Sequence, residues 1–197
     1  MINNIKNLSI SVDNGKFFRK RVKREPFGES FVIQLRDFER NASGNSLDMS
    51  QVIRTNDTSI KKSDYLKKGD VLVTVKGVNK HALLLKDVPT KTVVTQHLLI
   101  LRSPDTLKIL PEFIEFIVNS DESQRWFDRK CGGTYSSILN KETLLDLPFP
   151  NITIEKQKKI IELANEVKEE RALLLELIDN RDLQLKAYTA RLIREGR

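Results

Sequence analysis

The residues of this sequence that could carry out covalent chemistry are few and badly spaced for it. Cys131 is the one cysteine and His81 and His97 are the two histidines, so no Cys/His quartet is available for a structural zinc and no intrachain disulfide can form. A Cys131 nucleophile would need His81 or His97 as its base, but Cys131 falls at a predicted helix end and reads as incidental. Nucleotide phosphates lack a cradle, because the chain has no G-x-x-x-x-G-K-[ST] loop and no G-x-G-x-x-G after a strand. Asp70 and Lys76 flank one strand as in metal-dependent nuclease cores, yet the position two residues before the lysine is Thr74 rather than a carboxylate. Asp70 therefore reads as a turn residue. Leu147-Pro148-Phe149-Pro150 lacks the amide or carboxylate that would hold the exocyclic amine of a target adenine. The expectation is a protein that is not an enzyme and takes no cofactor or metal.

Binding chemistry is better represented. Lys76, Asn79, Lys80 and His81 follow a predicted strand, and Arg129, Lys130, Thr134, Tyr135 and Ser136 flank the Gly132-Gly133 pair. Both groups combine cations for phosphate with side chains able to reach base edges, and the glycines let backbone approach a phosphate closely. A denser basic run comprises Lys16, Arg19, Lys20, Arg21, Lys23 and Arg24. If it is a strand, Arg19, Arg21 and Lys23 share one face and Lys20 and Arg24 the other. The charge is distributed to match. Of 34 basic and 27 acidic residues, 24 and 18 lie in residues 1–154, while residues 155–197 are nearly balanced at ten and nine. The first part suits a polyanion and the second a protein partner.

These residues must be held by a mixed α/β domain of twisted strands with short helices, spanning residues 1–152. Phe17–Val22, Phe31–Leu35, Val71–Val75, Ala82–Leu85, Thr92–Thr95 and Leu98–Leu101 read as strands. A long polar loop runs from about Glu39 to Lys62, with a short strand near Val52. From Leu107 the period becomes helical: Leu110, Phe113, Ile114, Phe116 and Ile117 predict a helix to about Asn119, with Pro111 in its first turn. A second helix covers Ser123–Lys130. Asn140 caps a short third one, Lys141–Leu145, which Pro148 and Pro150 terminate. Hydrophobic residues make up 39% of the chain, enough to fill a core and too many for a disordered one. No apolar run approaches the roughly 18 residues of a membrane span, and the first residues lack a signal-peptide core, so a cytoplasmic location is expected.

Residues 153–197 read as one long helix after a Thr153 N-cap, with no proline or glycine before Gly196. Ile160, Ala164, Val167, Arg171, Leu174, Ile178, Arg181, Leu185, Tyr188 and Leu192 advance by alternate steps of four and three, the spacing of a coiled-coil seam. About 60 Å of such helix exceeds what a compact domain can cover, so the seam calls for a partner helix.

The order of features resembles the target-recognition half of a type I restriction-modification specificity subunit. The resemblance rests on Gly69-Asp70-Val71-Leu72-Val73 with Gly77 downstream, on Gln96-His97-Leu98-Leu99-Ile100-Leu101-Arg102, and on Gly132-Gly133-Thr134 followed by Ser137-Ile138-Leu139-Asn140. Leu144, Leu147-Pro148-Phe149-Pro150 and Gln157 at the start of the long helix complete it. It runs from about Phe27 to the C-terminus. The resemblance implies a sequence-specific DNA-recognition domain joined to a spacer helix, directing methyltransferase subunits and a restriction motor subunit to a bipartite target without performing chemistry itself. Members of that family carry two recognition domains and two long helices, whereas this sequence has one of each and no internal repeat. It is then a half that pairs with itself, a half that pairs with a different half, or a piece of a longer product. Arg171 and Arg181 opposite acidic residues would set the register of an antiparallel pair. Two alternatives lie outside this family: a coiled-coil adaptor with a basic domain, and a nuclease.

Overall fold

In the computed structural model, which describes residues 2–39, 47–77, 80–131 and 138–195, strands and short helices alternate before one long helix. In chain order the strands are β1 (Ile2–Asn4), β2 (Ser11–Asn14), β3 (Ser30–Ile33), β4 (Ile53–Thr55), β5 (Val71–Thr74), β6 (Ala82–Leu84), β7 (Thr92–Val94), β8 (Leu98–Arg102) and β9 (Pro148–Pro150). The helices are α1 (Leu35–Glu39), α2 (Pro111–Asn119), α3 (Asp121–Cys131), α4 (Lys141–Leu145) and α5 (Ile154–Glu195). Residues 1–157 form one compact unit and residues 158–197 a second.

The run Val71-Leu72-Val73-Thr74 is buried throughout because β5 is an inner strand, paired with β8 on one side and β6 on the other. The sheet order is β2-β8-β5-β6, all antiparallel. A second sheet, β4-β3-β7, pairs β3 antiparallel with β4 and parallel with β7. Leu72, Leu83, Leu98 and Ile100 of the first sheet and Ile33 and Val94 of the second share one apolar cluster with Phe38 of α1. Burying these side chains, at roughly 25 cal/mol per Å² of apolar surface, is the main force joining the sheets. Helix α2 closes the β6 edge. Asn119 Oδ1 accepts from Ala82 N at 2.8 Å and Glu115 Oε1 accepts from Leu84 N at 3.0 Å, so edge N–H groups that could recruit another strand are satisfied internally.

Several expectations need correction. Phe17–Val22 is not a strand: its β-like residues find no partner, Phe17 is exposed, and the segment is irregular, so Arg19 and Arg21 are not placed by strand alternation. Leu35 opens α1 rather than ending β3. Pro148 and Pro150 do not merely stop α4. They flank buried Phe149 in β9, which pairs with β1 in a two-stranded sheet, a place where a missing N–H is tolerated. Neither β1 nor β2 was expected. Other local signals hold: Asn140 Oδ1 accepts from Thr143 N at 2.7 Å at the start of α4, and Pro111 is the first residue of α2.

Gln157, in the first turn of α5, is 2% exposed and fully engaged. Its Oε1 accepts from Leu110 N at 3.0 Å, and its Nε2 donates to Lys108 O at 2.8 Å and Ile152 O at 3.0 Å. The amide thus satisfies the loop before α2 and the chain entering α5. Of the predicted seam, Ile160 and Ala164 are half-buried, and every residue of α5 from Glu166 to Glu195, Arg171 and Arg181 included, is exposed. Leu163, Leu173 and Leu177 lie one residue before seam positions and are also exposed, so the apolar stripe is broader than the seam alone.

Candidate nucleic-acid interface

The registers of the four-stranded sheet gather distant segments at one of its ends. Asn14 pairs with Leu99, Thr74 with Leu98, and Val73 with Ala82. The chain leaving β2, the loop from β5 to β6 and the turn entering β8 therefore emerge together. Lys76, His81, Arg19 and Arg21 lie on these segments and are exposed.

Thr74 explains why the strand ends as it does. Its hydroxyl accepts from His81 N at 3.0 Å and its own N donates to His81 O at 3.0 Å, closing the hairpin at the position where a nuclease would carry a carboxylate. Helix α3 joins the same region through Gln124 in its first turn, and the segment after it does so through Leu139. Gln124 Oε1 accepts from Lys80 N at 3.0 Å and its Nε2 donates to Lys80 O at 3.1 Å, while Leu139 N donates to Val75 O at 2.9 Å. These bonds tie α3, whose last turn carries the exposed Arg129 and Lys130, to the segment that carries Lys76, Lys80 and His81.

Lys80 departs from its expected role as a surface cation. It is 1% exposed and its ammonium donates to Gly77 O at 2.7 Å. Burial pushes its pKa below the ordinary lysine value, partly opposed by Cys131 and Asp128, and burial likewise raises the Cys131 thiol. In this structure Lys80 ties down its own loop. Asn79, Thr134, Tyr135 and Ser136 lie outside the described residues.

The turn from β7 to β8 is a feature that the sequence did not single out for binding. Leu98 N donates to Thr95 O at 3.1 Å across it, placing Gln96 and His97 at its tip. Thr95 N donates to Ile33 O, Gly15 N to Leu98 O, Lys16 N to Val94 O and Val75 N to His97 O, all between 2.7 and 3.0 Å. This close approach needs Gly15, because a Cβ there would stand 2.2 Å from Thr95 O. Beside the turn lies an open groove of about 400 Å³, lined by residues 18–22, 34–36 and 95–97.

At the opposite end of the sheet, charge is used differently. Asp70, expected as a turn residue, is 0% exposed. Arg102 Nε and Nη2 donate to its two carboxylate oxygens at 2.7 Å each, and Lys67 N donates to Oδ2 at 2.8 Å. The hydrogen-bonded carboxylate raises the Arg102 pKa further. The residue does close the turn, and it also locks the start of β5 to the end of β8. Among the described residues no group of three or more His, Cys, Asp or Glu side chains could hold a metal ion, and no helix is long and apolar enough to cross a membrane.

No protein-family model matches the chain, and no curated protein matches it by sequence. Solved structures do match. A type I restriction-modification system S subunit from M. genitalium superposes with a TM-score of 0.57 at 17% identity, over 91% of this chain and 41% of that one. An HsdS subunit from Thermoanaerobacter tengcongensis gives 0.60 at 13% identity, over 88% and 38%. A third, from a structural study of complex assembly and conformational transition of the type I R-M system, gives 0.58 at 14% identity, over 88% and 39%. The chain therefore has the S-subunit fold, mixed α/β with a long C-terminal helix, and spans about two-fifths of the length of each structure.

Proposed function

We propose that this chain is a recognition half of a type I restriction-modification specificity assembly, with residues 1–152 reading duplex DNA and residues 153–197 pairing with a second half. The observation that carries the reading is the convergence of exposed basic segments at one end of a sheet in an S-subunit fold. Lys76, Arg129 and Lys130 contact phosphates, and Asn79, His81, Thr134, Tyr135 and Ser136 are the proposed base-reading set. Adenine methyltransferase subunits and a restriction motor subunit supply the chemistry, in the cytoplasm. The chain itself is a specificity component and not an enzyme.

Salt dependence of DNA binding tests the reading. Changing Lys76, Arg129 and Lys130 together to Gln should lower the slope of log K against log salt by about 2.7, at about 0.9 per phosphate contact. An unchanged slope removes all three from the interface. Pairing is tested separately. The exposed stripe of α5 favours burial against a like helix, and two-fold antiparallel pairing makes the two copies read inverted half-sites. Sedimentation should give a dimer at micromolar concentration that Leu174→Asp with Ile178→Asp converts to a folded monomer. A wild-type monomer would exclude self-pairing and leave pairing with a different half. Methylation should require an added methyltransferase subunit, and methyl transfer by the chain alone would overturn the proposal.

A further inference from the structure

We infer that the Gln96-His97 turn and the groove beside it form a second DNA-contact subsite, where Arg19, Arg21 and Arg36 hold backbone phosphate and the Gln96 amide reads an adenine. The inference rests on the DNA reading above and adds to it a specificity-determining residue from a different part of the chain.

Three observations converge on it. First, the turn is rigid. Its backbone is fixed by hydrogen bonds to β3, to the end of β5 and to the chain leaving β2, so residues 96 and 97 are presented by a scaffold rather than by a loose loop. The bond from Val75 N to His97 O makes the turn continuous with the loop that carries Lys76. Second, the turn contains unspent hydrogen-bonding capacity. Thr95 Oγ1 and Gln96 Oε1 are buried and find no hydrogen-bond partner among the described residues. An unpaired buried acceptor is unfavourable, and rotation of the Gln96 side chain toward a ligand donor relieves it. Third, the adjoining groove is cationic. Arg19, Lys20, Arg21 and Arg36 line it with Gln96 and His97. The buried Asp37 pairs with Arg36 Nε at 3.7 Å, a long ion pair that leaves the Arg36 side chain 48% exposed.

The chemistry selects both the ligand and the base. An open groove with guanidinium walls suits an extended polyanion, for which several phosphates are engaged in succession. A glutamine amide offers one acceptor and two donors, and adenine in the major groove offers the complementary N6 donor and N7 acceptor side by side. Gln96 Oε1, the atom now without a partner, would accept from N6 while Nε2 donates to N7.

The test uses the full chain, selection from a randomised duplex pool, and titration at several salt concentrations. Wild type should select adenine at one position that Gln96→Leu no longer selects, a loss of about 5- to 150-fold in discrimination there. The isosteric Gln96→Glu replaces the donor by an acceptor and should move the preference at that position from adenine to cytosine, whose N4 group donates. Because this variant keeps the shape of the side chain, it guards against a misfolded Leu variant. Neutralising Arg19, Arg21 and Arg36 together should lower the salt slope by about 2.7. Unchanged base preference in Gln96→Glu, or an unchanged slope in the arginine variant, would overturn the subsite while wild-type binding keeps the DNA reading intact. Absence of DNA binding by the wild type at low salt would overturn both.

Discussion

The two ends of the four-stranded sheet use charge in opposite ways. At one end Asp70 and Arg102 meet in a bidentate pair, the carboxylate fully buried and capped by a backbone N–H. At the other, Lys76, Arg19 and Arg21 stand exposed on segments that the same strands bring together, and Arg129 and Lys130 stand exposed on the last turn of α3. A charge whose partner is built into the fold contributes to holding strands together; a cluster of like charges at the surface is tolerated by solvation and raises the local concentration of anions. The difference predicts that the ends can be damaged separately, one at the expense of stability and the other at the expense of binding.

The largest effect should come from the paired end. Arg102→Leu leaves the Asp70 carboxylate buried without its counter-charge, so unfolding in urea should show a loss of about 3 kcal/mol. DNA affinity of the molecules that remain folded should be unchanged. A collapse of affinity in that folded population would mean that the two ends are coupled. Gly15→Ala should be next, at about 2 kcal/mol, because the added methyl overlaps the Thr95 carbonyl and the backbone must shift. Unlike Arg102→Leu it should also degrade sequence selection, since Gly15 N holds the turn that presents Gln96.

What could be read from the sequence follows from how local each signal is. The β5 run, the Asn140 cap and the long α5 pattern were legible because each signal is carried by neighbouring residues, or by a short repeat of them, without reference to a distant segment. The β1 and β9 pair was not, since a Pro-Phe-Pro run signals a breaker until a strand from the other end of the unit is laid beside it. In β2 only Val12 of four residues is buried, which leaves almost no apolar alternation to detect. Phe17–Val22 misled for the converse reason, having strand-forming residues without a strand to pair with. At the candidate site the basic loops were visible as composition. The place of Arg36 and Gln96 beside Arg19 and Arg21 was not, because their segments meet only through the parallel β3–β7 pairing and the 95–98 turn.

The smallest effect sharpens the comparison most, because it concerns a cation that sits at the exposed basic end and yet is buried like the paired residues. Lys80→Met keeps the length of a side chain that is almost wholly buried; it removes the cost of desolvating the ammonium together with a hydrogen bond to Gly77 O, an exposed residue whose carbonyl can turn to water. Stability near neutral pH should therefore change by no more than about 1 kcal/mol. The salt slope for DNA should not change, whereas Lys76→Gln alone should lower it by about 0.9. A further signature identifies the buried ammonium. Because burial depresses its pKa in the folded state, the unfolded chain holds this proton more tightly, so wild-type stability should gain from Lys80 as pH rises from the depressed value toward the ordinary lysine value of 10.5. Lys80→Met should lack that gain when urea midpoints are compared across the alkaline range. A reduced salt slope in Lys80→Met would instead return the residue to the phosphate-contacting set and show that the loop opens when DNA binds.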